Sequence, residues 1–250
     1  MVLLAVFLGG CGSKNEAETK PAEAPAAPVS APSQKTVDFS TAATLRGRVT
    51  FQGQAPEAGR IAVKGNPECA ALHPGGAIAS EELVTHDGLL ANVFIYVKEG
   101  LEGYTFTPPA LPLTIENKTC VYRPHVSGVM VGQPVDFLNQ DSTLHNIHAY
   151  PKNSKPFNLG LPLVGMKQTK KFGAPEVMVG LKCDVHPWMQ GYIGVVANPY
   201  FAVSDSSGEF LIRNIPPGEY TVEAWHEKLG VQAQKITVGA SETKELEFKF

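Results

Sequence analysis

Hydrophobic and polar residues alternate along most of the chain from Leu45 onward. Leu45, Val49 and Phe51 alternate with charged or polar residues, and residues 93–98 repeat the same two-residue period. A period of two is typical of a β-strand with one buried face. The pattern predicts further strands at residues 135–138, 166–172, 177–182, 210–213, 220–226, 232–238 and 246–250.

Turn-forming residues separate these stretches. Residues 132–134, 204–208 and 216–218 are built from glycine, proline, serine and similar turn formers. Glycine and proline make up 44 of the 250 residues, which exceeds the usual share of about 12%. No stretch of a dozen residues shows the periodicity of an amphipathic helix. The sequence therefore predicts an all-β protein.

Charge and hydropathy exclude two classes of protein. The net charge is −3, and no stretch is dense in lysine or arginine. Proteins that bind nucleic acid present a basic face, so we expect no nucleic acid partner. No apolar run reaches the roughly 18 residues that a membrane-spanning helix needs.

The first residues form a short apolar run, residues 2–8, followed by Gly9, Gly10 and Cys11. This arrangement resembles a bacterial lipoprotein signal, in which Cys11 would be lipidated and would attach the chain to a membrane. No lysine or arginine precedes the run, although signal peptides usually carry one. Either the true start lies upstream, or this is an ordinary apolar N-terminus with an ordinary cysteine.

Residues 12–43 consist mainly of alanine, proline, serine and charged residues. Such a segment cannot bury enough apolar surface to offset its ordering entropy, so we expect a disordered tether. An anchor followed by a tether implies an extracytoplasmic protein, periplasmic or on the cell surface.

The tail of the chain contains the hairpin pattern Asp205-x-x-Gly208-x-Phe210. It resembles the second half of a carboxypeptidase-regulatory-like β-sandwich, whose usual opening matches residues 47–49 and 92–97. The resemblance implies a discontinuous sandwich of residues 44–100 and 198–250, with a second β domain inserted at residues 101–197. The alternative is two domains side by side.

The inserted segment contains a group of soft metal ligands. Cys183, His186 and Met189 form a C-x2-H-x2-M pattern at the end of a predicted strand, and His145 lies upstream. A thiolate, two imidazoles and a thioether are the ligand set of blue-copper electron-transfer sites. We therefore expect one copper ion as cofactor.

Residues 120–139 and the H-N-x-H motif at His145, together with C-x2-H-P-x-M, resemble the amicyanin-like members of the cupredoxin family. The resemblance implies a type 1 site with His145, Cys183, His186 and Met189 as the copper ligands. Asn146 would tie the histidine loop to the ligand loop.

The family pattern also implies a docking surface. His186 would be the ligand at the solvent edge, and Pro187 and Trp188 would form an apolar rim for a redox partner. Packing in an ordinary core is the alternative for Trp188. His148 lies three residues after His145, so on an extended strand it would face the opposite side, as a supporting or surface residue.

Taken together, these resemblances predict a cupredoxin Greek-key sandwich inserted in, or packed beside, a transthyretin- or immunoglobulin-like sandwich.

Cys69 and Cys120 remain as an even pair, for which a disulfide is the default in an oxidising compartment. A second metal site is the alternative, because His73 and His125 lie close to these cysteines in the sequence.

The leading hypothesis is a membrane-tethered electron carrier that exchanges single electrons with a redox partner protein. The alternatives are a copper chaperone or store, and a structural binding module with an idle copper domain. The sequence contains no G-x-S-x-G, H-E-x-x-H, P-loop or G-x-G-x-x-G motif, so we expect no enzymatic activity.

Overall fold

In the described residues the regular secondary structure is almost all β-strand, which confirms the predicted all-β fold. The computed structural model describes Gly9 and residues 34–250, except positions 55, 58 and 64. The predicted lipidation residue, Cys11, and most of the predicted tether lie outside these described residues. Within them, we find no helix with the length and apolar character that crossing a bilayer requires.

The described residues contain one helix and twenty strands. The helix is α1 (Pro67–Leu72). The strands are β1 (Ala43–Thr50), β2 (Arg60–Ala62), β3 (Ala77–Ala79), β4 (Thr85–His86), β5 (Leu89–Leu90), β6 (Phe94–Glu99), β7 (Leu113–Lys118), β8 (Val121–Arg123), β9 (Val126–Met130), β10 (Val135–Asn139), β11 (His145–Ala149), β12 (Phe157–Leu161), β13 (Lys167–Lys170), β14 (Glu176–Lys182), β15 (Gln190–Val196), β16 (Phe201–Val203), β17 (Glu209–Ile215), β18 (Gly218–His226), β19 (Gly230–Val238) and β20 (Thr243–Lys249).

One sandwich combines the first strands with the last ones. Its first sheet has the order β17-β1-β5-β4, with β20 also paired to β1 in parallel. Its second sheet has the order β16-β6-β18-β19. Alternate apolar residues of these strands, such as Leu45, Ile95, Val222 and Phe248, meet in one fully buried cluster. The alternation in the sequence therefore identifies the residues that face inward in each sheet.

A second sandwich is formed by strands β7 to β15. One sheet has the order β13-β10-β7-β8, and the other has the order β12-β11-β14-β15-β9. Their inward residues, including Ile115, Phe137, Ile147 and Ile193, form a separate core cluster. Cys183 and Met189 belong to this cluster, so the proposed ligands lie at the edge of an apolar core.

Strand β6 joins the two cores because both of its faces are buried. Val93, Ile95 and Val97 belong to the first sandwich, whereas Phe94 and Tyr96 turn the other way and meet residues of the second one. The Phe94 ring lies where Gly128 and Gly194 pair side by side on β9 and β15. A Cβ atom at Gly194 would come within 2.4 Å of that ring. The two glycines thus provide the flat surface that the aromatic ring needs.

Residues 60–79 pack against the second sandwich, although the sequence assigned them to the first. The sequence assigns residues 44–100 to the first sandwich, but Val63, Cys69 and Ile78 belong to the core cluster of the second. The physical reason is a disulfide between Cys69 and Cys120, which fixes this segment against the β7–β8 hairpin. We call residues 60–79 the lid segment; it comprises the antiparallel pair of short strands β2 and β3 and, between them in the chain, helix α1.

The last part of the predicted tether is in contact with the folded protein. The backbone N–H of Lys35 donates a hydrogen bond to the carbonyl of Gly103, and residue 35 forms a β-bridge with Tyr104. Asp38 accepts hydrogen bonds from the backbone and side chain of Ser40. The predicted boundary at residue 43 therefore lies inside an ordered segment.

The glycine surface beneath Phe94 gives the first testable prediction. Gly194→Ala places a methyl group inside the volume of the Phe94 ring, and we expect a loss of about 1–3 kcal/mol in the free energy of unfolding. Gly180→Ala is the matched control, because nothing lies within 4 Å of its Cβ position. Urea denaturation of both variants measures the difference, and equal stabilities would contradict this contact.

Candidate metal centre

His145 reaches the centre because it is the first residue of β11. His145, Ile147 and Ala149 alternate along that strand, and all three are buried on the inward face. The imidazole of His145 therefore emerges at the end of the core, beside the loop that follows β14.

The loop between β14 and β15 carries Cys183, His186 and Met189. The backbone N–H of Cys183 donates to the Met189 carbonyl over 3.2 Å, and the N–H of Met189 donates to the His186 carbonyl over 2.9 Å. These bonds fold the loop into tight turns. As a result, Cys183, His186 and Met189 are buried, while Pro187 is exposed.

Three ligand atoms converge in this buried space. His145 Nδ1 lies 3.0 Å from His186 Nδ1, and Cys183 Sγ lies 3.7 Å from the same nitrogen. Ligands at about 2.0–2.3 Å from one tetrahedral ion lie roughly 3.3–3.5 Å apart. The spacing and the chemistry of the donor set therefore fit a metal ion.

Asn146 connects the two segments that carry the candidate ligands. Its Oδ1 accepts a hydrogen bond from Cys183 Sγ over 3.2 Å and another from the backbone N–H of Asp184 over 2.7 Å. A single side-chain oxygen thus holds the thiol and its loop against β11. Tyr122 donates to the Asn146 carbonyl over 2.6 Å and fixes the strand from the other side.

Asp141 contacts the ring nitrogen of His145 that faces away from the centre. His145 Nε2 lies 2.9 Å from Asp141 Oδ2, and the backbone N–H groups of Thr119 and Cys120 donate to the same carboxylate. A carboxylate on the second nitrogen fixes the tautomer and the ring orientation of a metal-binding histidine. This arrangement leaves Nδ1 of His145 to face the centre.

His186 is covered, which corrects the prediction that it forms the solvent edge. It is fully buried, with 0% of its surface exposed. Its Nε2 lies 2.8 Å from Asn66 Nδ2 and 3.6 Å from Cys69 Sγ, both in the lid segment. The lid segment was absent from the predicted site because it belongs to a distant part of the sequence.

Trp188 supports the lid instead of forming an open rim. Its indole N–H donates to the Cys120 carbonyl over 3.0 Å, and its ring centroid lies 5.1 Å from that of His186. The ring is partly buried against the second core. Trp188 therefore packs over the ligand loop and beside the disulfide.

His148 faces away from the ligands, as the strand period predicts. Its Nδ1 lies 3.0 Å from Asp184 Oδ1, and the ring stacks on Tyr150 with centroids 4.0 Å apart. The Asp184 carboxylate also accepts hydrogen bonds from the side chains of Asn146 and Asn158. His148 thus belongs to a surface network that adjoins the centre through Asn146.

The structure forms the expected disulfide and overturns the alternative second metal site. Cys69 and Cys120 are bonded to each other. His73 Nε2 donates to the Thr119 carbonyl, and His125 pairs with Glu227, so neither imidazole lies free beside a thiol. Cys183 is the free cysteine among the described residues.

The electrostatics of the ligands follow from burial and these hydrogen bonds. Burial acts to raise the pKa of Cys183, but hydrogen bonds from His145 and from neighbouring backbone N–H groups outweigh it and lower the pKa. Burial, together with the nearby His145, lowers the pKa of His186 to about 4. Burial acts to lower the pKa of His145, but its hydrogen bonds to Asp141 and Cys183 outweigh burial and raise the pKa. The centre therefore favours a thiolate and a neutral His186, which are forms that bind a metal, whereas His145 releases its proton when a metal binds.

Sequence reasoning missed two supporting residues. Asp141 lies four residues before His145, and that spacing alone does not distinguish it from a solvated turn residue. Asn66 precedes Pro67 and accepts from the backbone N–H of Cys69, so it is recognisable as a helix N-cap. Its contact with His186 spans 120 residues and has no signal in the sequence.

Comparisons with known proteins cover parts of the chain. The family model described as polysaccharide lyase family 4, domain II, matches residues 185–246. No curated protein sequence matches the chain.

Solved structures align over about a third of the chain. The copper-containing nitrite reductase of Thermus scotoductus SA-01 is 25% identical over 35% of this chain, with a TM-score of 0.33; the alignment spans only 23% of that enzyme. A purple cupredoxin from Nitrosopumilus maritimus is 27% identical over 33% of this chain and 98% of its own, with a TM-score of 0.29. A mutant amicyanin in its Cu(I) form is 20% identical over 36% of this chain and 91% of its own, with a TM-score of 0.30.

The covered position of His186 predicts how it titrates in the metal-free protein. We expect its ring to take up a proton with a pKa of about 4, whereas an ordinary histidine does so near 6.5. The unfolded chain binds that proton at the higher pH, so this residue makes the folded state less stable as pH falls from 6.5 to 4. NMR titration of the ring resonances measures the value, and a midpoint near 6.5 would show a solvated ring.

Proposed function

We propose that this protein binds one copper ion in a type 1 site and carries single electrons. The observation that supports this function best is the convergence of His145 Nδ1, His186 Nδ1 and Cys183 Sγ in one buried space. Met189 is the proposed fourth ligand; it is buried at the end of the same loop.

The donor set favours copper over other metals. Structural zinc sites usually use four strong ligands, whereas one thiolate, two imidazoles and a weak thioether are typical of blue copper. Copper, when bound, supplies a one-electron couple between Cu(I) and Cu(II). This is the chemistry that an electron carrier needs.

The surrounding residues hold the ligands in place for that role. Asp141 contacts the far nitrogen of His145, and Asn146 holds the thiol of Cys183. Ligands fixed in this way change position little when the charge of the site changes. Burial of Cys183, His186 and Met189 keeps water away from the centre.

The setting of the site supports an extracytoplasmic protein. A buried disulfide between Cys69 and Cys120 forms in an oxidising compartment. We propose that Cys11 is lipidated and anchors the chain to a membrane, with residues before the folded part as a tether. The partner is a redox protein, and the proposed role involves no enzymatic reaction.

The two sandwiches are assigned different roles in this proposal. Residues 101–197 form the copper-binding cupredoxin domain, with the lid segment packed on it. Residues 44–100 and 198–250, apart from the lid segment, form a carboxypeptidase-regulatory-like sandwich that supports it through Phe94.

The visible spectrum after Cu(II) addition tests the function. We expect an intense blue thiolate-to-copper band that bleaches with ascorbate and returns on reoxidation. Cys183→Ser should abolish the band, because it removes the thiolate. Lys182→Ala is the matched control, since the neighbouring Lys182 side chain is exposed and should leave the band unchanged.

Other outcomes of this spectrum contradict the proposal. A wild-type protein that holds copper without colour would be a chaperone or store. A protein that takes up no copper would leave the flanking sandwich of residues 44–100 and 198–250 as the functional part. Near-ultraviolet circular dichroism of Cys183→Ser shows whether the variant keeps its fold.

Met189→Leu tests the axial ligand. The change keeps the side-chain volume close to that of methionine, so we expect the protein to fold and to bind copper. It removes a weak donor that favours the oxidised ion, and the reduction potential should therefore rise. A redox titration followed at the blue band measures it, and an unchanged or lower potential would argue against Met189 as a ligand.

A further inference from the structure

The lid segment closes the side of the centre on which His186 lies. Asn66 and Cys69 contact His186 Nε2, and Cys69 is tied to Cys120 by the disulfide. Trp188 packs beside them and donates to the Cys120 carbonyl. A partner protein on this side would be separated from the histidine by the lid segment.

The second histidine, His145, is inaccessible to a partner as well. The far nitrogen of His145 is occupied by Asp141, whose carboxylate is held by the backbone of Thr119 and Cys120. Both His145 and Asp141 are buried. Neither imidazole therefore offers an edge on which a partner could dock.

The thiolate side of the centre reaches the surface by a short path. Asp184 follows Cys183 directly, and its side chain is 49% exposed. Asn146 bridges the two residues, because its Oδ1 contacts Cys183 Sγ and its Nδ2 donates to the Asp184 carboxylate. One residue thus links the buried sulfur to a surface charge.

Further side chains around Asp184 form a continuous surface. His148 pairs with the carboxylate, Tyr150 stacks on His148 and is 46% exposed, and Asn158 donates to Asp184. Leu144 is also exposed, and because it directly precedes His145, alternation places it on the opposite face from His145, which is the face of His148. We call these five residues the Asp184 face.

We infer that the redox partner docks on the Asp184 face, and that electrons leave and enter through Cys183 rather than through His186. This inference rests on the proposed function. Tyrosine is enriched in protein interfaces, and their rims are polar and accessible to solvent. The partner that fits is a redox protein whose docking face presents a cationic side chain to Asp184, because the negatively charged Asp184 side chain is 49% exposed.

Small redox probes of opposite charge test this inference with the full chain. The reduced protein is mixed with tris(phenanthroline)cobalt(III), a cation, or with ferricyanide, an anion. One electron leaves the Cu(I) site and reduces Co(III) to Co(II), or Fe(III) to Fe(II). Asp184→Asn removes one negative charge from the proposed exit while the backbone bond to Asn146 is retained.

We expect Asp184→Asn to slow oxidation by the cobalt cation about threefold at low ionic strength and to accelerate oxidation by ferricyanide to a similar extent. Asp87→Asn is the matched control, because Asp87 is an exposed carboxylate in the turn between β4 and β5 of the other sandwich. Its rates should equal those of the wild type. If Asp184→Asn behaves like this control, the inference is wrong.

A second measurement locates the surface without electron transfer. Hexaamminechromium(III), a paramagnetic cation that does not exchange electrons here, broadens NMR signals of the reduced protein near its binding site. We expect broadening at His148, Tyr150 and Asn158. Broadening centred on Asn66 and Trp188 would overturn the inference and assign the exit to the lid side.

The blue band separates the two proposals. It is recorded for every protein before the kinetic measurements. A wild-type chain without the band contradicts the proposed function itself. A chain with the band, but with rates that do not depend on Asp184, contradicts only the docking surface.

Discussion

The centre depends on one side-chain oxygen, Oδ1 of Asn146. It accepts from the thiol of Cys183 and from the next backbone N–H, so the ligand loop and strand β11 are locked together at the point where both deliver ligands. Buried polar groups must find partners, and a network in which each group is satisfied has a single low-energy arrangement. The position of His145 relative to Cys183 therefore follows from hydrogen bonds made without a metal, and the site is organised in advance of binding.

The lid segment removes His186 of this centre from contact with solvent. A β-sandwich with ligands at one end would leave His186 at the surface, but the lid segment replaces water on that side with Asn66 and a disulfide. Closing a chain of 51 residues by a disulfide stabilises the folded state by about 4 kcal/mol on the chain-entropy model. The covering is therefore part of the stable fold, and it separates His186 from the solvent on that side.

The sequence predicted the strands and the ligand group because both are local patterns. The alternation around Leu45 and Val93 shows directly which face is buried, and C-x2-H-x2-M places three candidate ligands in one short loop. It did not predict the burial of His186, since the contact with Asn66 joins residues far apart in the chain. The sequence also did not predict the contact of the Phe94 ring with Gly128 and Gly194, because a glycine in a strand does not indicate which side chain packs against it.

The pairing of β1 with β17 and β20 has a consequence for how the chain is made. Thr44 lies beside Thr243, so the first sheet contains the earliest and the latest of the strands described here. During synthesis, this sheet cannot be completed until β20 has emerged. The sheets of the metal centre draw their strands only from residues 113–196, and all of these are available earlier. The topology thus allows the strands that carry the candidate ligands to fold before the last strand of the flanking sandwich has been synthesised.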